Sequence, residues 1–326
     1  MRSASATKEK PAHRPAGAVV ELERSWVAFL LLYLGLGATI ALVWTRITDF
    51  RTLPSWHMQM LDGTAPAPNQ YRLLTPYLAE AIRTVLPDQS VYTAYLVLRG
   101  AVTGVALFVF DRYLRTWVTS SAAVAGSFFL AAIIPFTFFR VVQESDPINL
   151  LVFVLAFWAL ALGRDLLLIP LVLLGTLNRE TVAMIPALYL VIRWGREQPL
   201  RLAWRTAALG ASWVVVYGGM LLHYGRRGYY CDVVMLPQNL ASLSPTVFLL
   251  LMFGAVWVLA YMARRDAPEM LRRALWLVPP FLVLHYVVAM VNEVRLFLPL
   301  APILIPLAWW TLFPNDRVAL AGARRG

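Results

Sequence analysis

Asp165 to Ile192 reads DLLLIPLVLLGTLNRETVAMIPALYLVI, and how this stretch meets a membrane decides how the rest of the chain is threaded. At about 1.5 Å per residue it would make a helix of roughly 40 Å, against a hydrocarbon core of about 30 Å. As one crossing it would tilt steeply and hold Arg179 and Glu180 near the bilayer midplane, at about 2.5 to 3.5 kcal/mol each on insertion scales. Two half-helices meeting at Asn178-Arg179-Glu180 avoid that cost. Each arm is then too short to span alone, so the polar apex sits in a protein-lined cavity and not in lipid.

The composition outside this stretch agrees with a membrane setting. Of 326 residues, 60% are hydrophobic and only 14% are charged. The fold class that follows is all-α, a polytopic integral membrane protein of about nine or ten membrane helices that include a half-helix pair. The net charge of +11 invites a nucleic-acid partner. Most of the arginines flank apolar runs, however, so membrane topology accounts for them and no nucleic acid is implied. The single Cys231 has no second cysteine with which to form an internal disulfide.

Residues 1–24 hold Lys8, Lys10, Arg14 and Arg24 among Pro, Ala and Glu, and read as a disordered cytoplasmic tail. Residues 25–315 read as one transmembrane domain, and 316–326 as a second cytoplasmic tail. The apolar run Trp26–Trp44 is too long for a signal-peptide core and is expected to stay as the first span. Further apolar runs lie near Val91–Phe110, Val118–Phe139, Ile148–Leu162, Leu202–Leu222, Thr246–Met262, Ala274–Val291 and Leu296–Phe313. Between the first two runs, residues 46–90 form the longest loop. Within it Leu73, Leu74, Tyr77, Leu78, Ala81, Ile82 and Val85 recur at helical spacing, which predicts an amphipathic helix lying on the outer leaflet.

Arginine placement chooses between the two readings of 165–192. With a hairpin, nineteen of the twenty-nine basic residues fall on the side of the two termini and nine on the other. With a single crossing every later segment flips and the bias reverses. The positive-inside rule therefore favours the hairpin, with both termini cytoplasmic in a cytoplasmic (inner) membrane.

The outer side then collects Asp49, His57, Asp62, Arg72, Arg140, Glu144, Asp146, Arg179, Glu180, Asp232, Glu293 and Arg295. Asp49 and Asp62, in the turn-rich start of the long loop, stand equally as a general base or a metal-binding carboxylate. No cofactor is implied, although a divalent metal is compatible with those two acids. Asp146, just before Pro147, also suits an N-cap, and Glu144 could pair with Arg140 four residues back. Asn178 suits the cap of the second half-helix, with Glu180 in its first turn. Arg179 beside a helix N-terminus at membrane depth makes an anion site suited to phosphate. On an α-helix Glu293 and Arg295 would point apart, so neither is expected to serve merely as the other's partner, and either could meet a different outer-side group, Glu293 meeting Arg179 for example. Arg72, Arg140, Glu144 and Asp146 join the candidate substrate contacts, and Arg99, inside the second span, needs a carboxylate or carbonyl partner or else binds substrate. His285 reads as a hydrogen-bonded core histidine.

Several of these segments look familiar. NEVRLFLPLAPILIPL (292–307) resembles the acidic-x-Arg-Phe-Leu-Pro-Leu-x-Pro pattern before the last spans of GT-C superfamily glycosyltransferases that use polyprenyl-phosphate donors. LNRETVAMIPALYLV (177–191) is similar to the basic-Glu-Thr segment in their middle spans. QYRLLTPYLAEAI (70–82) and ESDPINLLVFVLAFWALALGR (144–164) resemble segments of uncharacterised bacterial membrane proteins that carry the same set. The resemblance implies a GT-C-like bundle with an outward active site, whose partners are the bilayer, a polyprenyl-phosphate-linked sugar donor and a glycan, lipid or protein acceptor. It maps the base to Asp49 or Asp62 and the phosphate contacts to Arg179 and Arg295. Two departures stand beside the likeness: no tight acidic pair follows the first span, and no outer domain is expected after the last.

The expected activity is thus transfer of a sugar to an envelope acceptor on the outer membrane face. The rivals are a transporter or flippase for an anionic or lipid-linked substrate and a non-catalytic scaffold. Topology is directly testable: a reporter fused after Arg164 and one fused after Gln198 should read the same side of the membrane. Opposite readings would restore the single crossing.

Overall fold

The computed structural model describes residues 16–87, 89–138, 144–229 and 232–318, with side chains from residue 26 onward. Among them every apolar run becomes helix. The chain runs through α1 (Ala16–Ile47), α2 (Leu53–Leu61), α3 (Leu74–Val85), α4 (Val91–Leu114), α5 (Ser120–Ile133), α6 (Asp146–Ala161), α7 (Leu168–Asn178) and α8 (Met184–Arg193). It continues with α9 (Pro199–Tyr224), α10 (Leu236–Leu240), α11 (Ser244–Phe253), α12 (Val256–Met262), α13 (Glu269–Leu275), α14 (Val278–Val288) and α15 (Ala301–Leu312). A 3-10 segment, Val294–Leu300, leads into α15.

Among the described residues six helical segments are long and apolar enough to cross a membrane: Trp26–Ile47, Val91–Leu114, Ser120–Phe138, Pro199–Tyr224, Glu269–Val288 and Val294–Leu312. The pair α11 and α12, bent by 65° at Gly254, makes a seventh if counted as one span. This is a multi-pass helical membrane architecture. The expected count of nine or ten is reached only by adding shorter pieces, because α6 has 16 residues, about 24 Å of helix, and falls short of a full crossing. The expected disordered tail also ends earlier, since helical backbone begins at Ala16.

The 165–192 stretch breaks where its charges predict. α7 ends at Asn178, Arg179 is extended (φ −162°, ψ 139°), and a 3-10 turn, Glu180–Ala183, leads into α8. The ends of the two arms away from the break meet: Arg193 grips Asp165 through Nη2 and Nε at 2.5 and 3.1 Å. Residues 28 apart in sequence are thus side by side, and the stretch is a hairpin. Gly175 makes the fold-back tight, because a Cβ there would lie 2.9 Å from side-chain carbons of both Val152 and Val182.

Two further contacts set the frame around the hairpin. α1 and α4 approach through small residues: a Cβ on Gly104 would lie 2.7 Å from Leu34 Cα, and one on Gly37 would collide with the Gly100 carbonyl oxygen. Gly100 and Gly104 form a G-x-x-x-G spacing, which lets membrane helices pack backbone to backbone. The last span is the central post, with Val294 to Ala308 buried throughout. In the long loop α3 forms as expected; Ala79 is buried against the bundle while Tyr77 and Val85 remain exposed. The loop also contains α2, which the sequence pattern did not reveal because its nine residues, LPSWHMQML, are too few to show a periodicity.

Gly37→Ala and Gly104→Ala should each destabilise the protein by about 1 to 3 kcal/mol through overpacking. Gly35→Ala, whose Cβ meets nothing within 4 Å, should change it by less than about 0.5 kcal/mol. Thermal unfolding in one detergent would read all three.

Candidate functional site

At the membrane-depth end of the hairpin, three arginines from three separate segments converge. Arg179, at the break, and Arg295, in the 3-10 segment before α15, are 2% and 3% exposed. Both reach Asp146, the first residue of α6: Arg179 donates from Nη1 to Oδ1, and Arg295 Nη1 lies 3.5 Å from the same carboxylate. The N-cap reading of Asp146 is therefore corrected. Ser145 holds the cap position, and the Asp146 carboxylate turns inward because two buried cations need it more than a helix end does.

Arg72, from the long loop, closes the third side with a two-point grip on Glu180, Nη2 to Oε1 at 2.6 Å and Nε to Oε2 at 3.2 Å. Arg295 also donates to Glu293. The expectation holds for Arg295, which meets Asp146 as well as Glu293, and falls for Glu293. The two do pair, because the backbone there is a turn running into 3-10 helix and not α-helix. Glu293 is accordingly not the partner of Arg179. The expected cap at Asn178 is corrected too: it ends α7, donates to the Ser145 carbonyl at 2.9 Å and accepts from Thr75 at 2.7 Å, tying α3, α6 and α7 into one corner.

A cavity of about 360 Å³ opens on this cluster. Arg72, Arg179, Arg295, Glu180 and Glu293 line its polar side. Met184, Leu284 and Val288 line the apolar side, and Leu284 and Val288 continue onto exposed surface. His285 faces the cavity from α14, with its Nδ1–H donating to the Phe281 carbonyl at 2.8 Å, which leaves Nε2 as an acceptor. The reading of His285 as a hydrogen-bonded core residue holds, with a place on the cavity wall added.

The three arginines face three carboxylates, Asp146, Glu180 and Glu293, so the cluster is close to neutral as built. Arg179 is not the lone cation that its sequence position suggests. Its Nε is nevertheless buried without an acceptor among the described residues, and it lines the cavity.

Asp49 and Asp62 do not line this cavity. Asp49 is exposed and accepts from the Arg51 backbone N–H at 3.0 Å and from Arg51 Nε at 3.2 Å. Those contacts hold its carboxyl below the usual carboxylate value, which lowers its strength as a base. Asp62 is an exposed C-cap residue of α2. Besides Glu180 and Glu293, which are held by arginines, the cavity is lined by Asp232, exposed on the loop before α10. Its one hydrogen-bond partner among the described residues is the neutral Gln238, at 3.3 Å. The loop is pinned beside α14 by Asn239, which donates to the Tyr286 and Ala289 carbonyls at 2.8 and 2.7 Å. The sequence offered no signal for Asp232 beyond its side of the membrane, because the loop carries no pattern.

Arg99 and Glu144 pair with each other at 3.4 Å, apart from the cavity, and Arg99 also lies 4.2 Å above the Trp44 ring. Burial pushes the Glu144 carboxyl up to about 7 against the pull of Arg99. Arg140, the expected partner of Glu144, lies outside the described residues. Nearby, His57 bridges Tyr95 and Glu80 at 3.1 and 3.0 Å and pins α2 and α3 to α4. Among the described residues no group of three or more His, Cys, Asp or Glu side chains is placed to hold a metal ion.

Comparison with protein-family models, with curated proteins and with solved structures finds no match to this chain.

Asp146→Asn would leave Arg179 and Arg295 buried without their shared counter-ion, at a cost of about 3 to 5 kcal/mol. Asp49→Asn, at an exposed ion pair, should cost less than about 1 kcal/mol. Unfolding of purified protein in mixed micelles would separate the two.

Proposed function

We propose that this protein transfers a sugar from a polyprenyl-phosphate donor to a hydroxyl acceptor, in the manner of the GT-C superfamily its motifs resemble. The single observation that carries the reading is the convergence of Arg72, Arg179 and Arg295 on one half-apolar cavity at the hairpin apex. Charged residues at membrane depth are rare and mark functional sites, so the gathering of three guanidinium groups on one cavity fits a ligand that carries negative charge. The unoccupied Nε of Arg179 offers a donor to a phosphate oxygen. The apolar wall of Leu284 and Val288, open to the lipid side, suits the prenyl chain.

In this reading the acceptor hydroxyl gives its proton to the Asp232 carboxylate and its oxygen attacks the anomeric carbon. The bond from that carbon to the phosphate oxygen breaks, and the electron pair leaves on the phosphate. Arg179 and Arg295 stabilise the developing charge. Glu293, at the rim and bound to Arg295, is the carboxylate that a bound phosphate would displace. Asp232 replaces Asp49 and Asp62 as the proposed base because it alone of the three lines the cavity. The orientation that places the cavity on the outer face of the cytoplasmic membrane is supported by the arginine bias.

A transporter reading gains one point from the second helix break, the 65° bend between α11 and α12. The residues at that bend, Phe253 to Val256, carry no ionisable group, so it offers an anion nothing to bind.

With the protein in nanodiscs and a panel of polyprenyl-phosphate hexoses, release of polyprenyl phosphate would be followed by chromatography. Asp232→Asn should lower turnover by about 100-fold or more, while Asp49→Asn and Asp62→Asn stay within about twofold. Full turnover in Asp232→Asn with loss in Asp49→Asn would return the base to the first loop.

A further inference from the structure

A second and larger cavity, about 720 Å³, lies at the opposite end of the bundle. It is set between α12, α13 and the start of α14, with Leu304 of the last span at its floor. The span Glu269–Val288 connects the two sites: Arg272 and Arg273 line this cavity, while His285 and Val288 line the first. Twelve residues of helix between Arg273 and His285 separate them by about 18 Å along the axis.

Four arginines, Arg264, Arg265, Arg272 and Arg273, face the space together with one acid, Glu269. Two of the four are engaged. Arg273 donates to the Trp194 and Ile192 carbonyls and pairs with Glu269 at 2.5 Å; Arg264 lies 3.8 Å above the Tyr261 ring and donates to the Tyr261 carbonyl at 3.1 Å. Glu269 is also held by Arg196, and the neighbouring Asp266 by Arg317. Arg265 and Arg272 therefore have no acidic partner among the described residues, and Arg272 Nε is buried without an acceptor. Around these cations the walls are Trp257, Trp276, Val278 and Leu282, and Trp276 is 77% exposed. The neighbouring Val258, Met262 and Val283 are exposed as well, so the mouth opens onto lipid-facing surface.

We propose that this cavity is a binding site for an anionic phospholipid of the surrounding leaflet, a phosphatidylglycerol-class headgroup held by Arg265 and Arg272 with its acyl chains along Trp276 and Leu282. A soluble anion would use the cations but leave the apolar walls wet, and a zwitterionic lipid would bring its own cation against two uncompensated guanidiniums. The inference is independent of the transfer reading, since none of these residues lines the first cavity.

The test uses the full-length protein in detergent. Phosphatidylglycerol titrated into the micelles should raise the melting temperature, and phosphatidylcholine should not. In Arg265→Gln/Arg272→Gln the apparent affinity for phosphatidylglycerol should fall about thirtyfold, the effect of two cations at a charged leaflet. Equal stabilisation by the two lipids, an unchanged response in the double variant, or the same stabilisation by inorganic phosphate would each overturn the proposal. A photoactivatable phosphatidylglycerol cross-linked to the unsubstituted protein supplies a readout free of any folding defect in the variant. Labelled peptides should map to residues 257–282, and labelling confined to other segments would overturn it.

Discussion

The carboxylate of Asp146 is the point on which this structure turns. It lies at the start of a helix too short to span the membrane and neutralises two arginines, one from the middle hairpin and one from the approach to the last span. A charge removed from water costs several kcal/mol unless it is matched, so Arg179 depends on this carboxylate and Arg295 shares it with Glu293. That requirement fixes α6, the hairpin apex and the 294–300 segment against one another more firmly than apolar packing alone, because helix and lipid offer an apolar side chain nearly the same environment. The remaining polar ties at this end, Arg72 to Glu180 and Asn178 to Ser145 and Thr75, extend the same corner outward.

What was legible in the sequence was whatever leaves a mark along one segment. The helices follow from the apolar runs, and the break at 178–180 follows from two charges in the middle of twenty-eight mostly apolar residues. Partners across segments left no such mark. The Asp146–Arg179 contact spans 33 residues, and no local spacing distinguishes an aspartate that caps its own helix from one that serves a distant arginine. The misreading of Glu293 has a narrower cause: the angle between it and Arg295 was taken on an α-helical wheel, and the local backbone is 3-10. Asp49 and Asp62 drew attention by their place in the longest loop, but position in a loop does not say which cavity a side chain reaches.

The two ends of the bundle solve opposite problems with the same residue type. At the hairpin end each arginine is matched by a carboxylate, and the cavity is nearly neutral. At the other end arginines outnumber acids: Arg264 is held by an aromatic ring and a backbone carbonyl, and Arg265 and Arg272 have no acidic partner among the described residues. The first arrangement is what a cation enclosed by protein requires, since a buried charge must be paired.

The clasp between Asp165 and Arg193 bears on how the chain enters the membrane during synthesis. Insertion machinery that samples segments one by one meets in α7 eleven residues, too few to halt as a span, followed at once by an arginine and a glutamate. Neither arm presents a stable transmembrane unit until the other has left the ribosome. The contact between Asp165 and Arg193 supplies what each arm lacks alone, since it joins two short helices end to end with a charged pair and makes the hairpin, not the helix, the unit that packs.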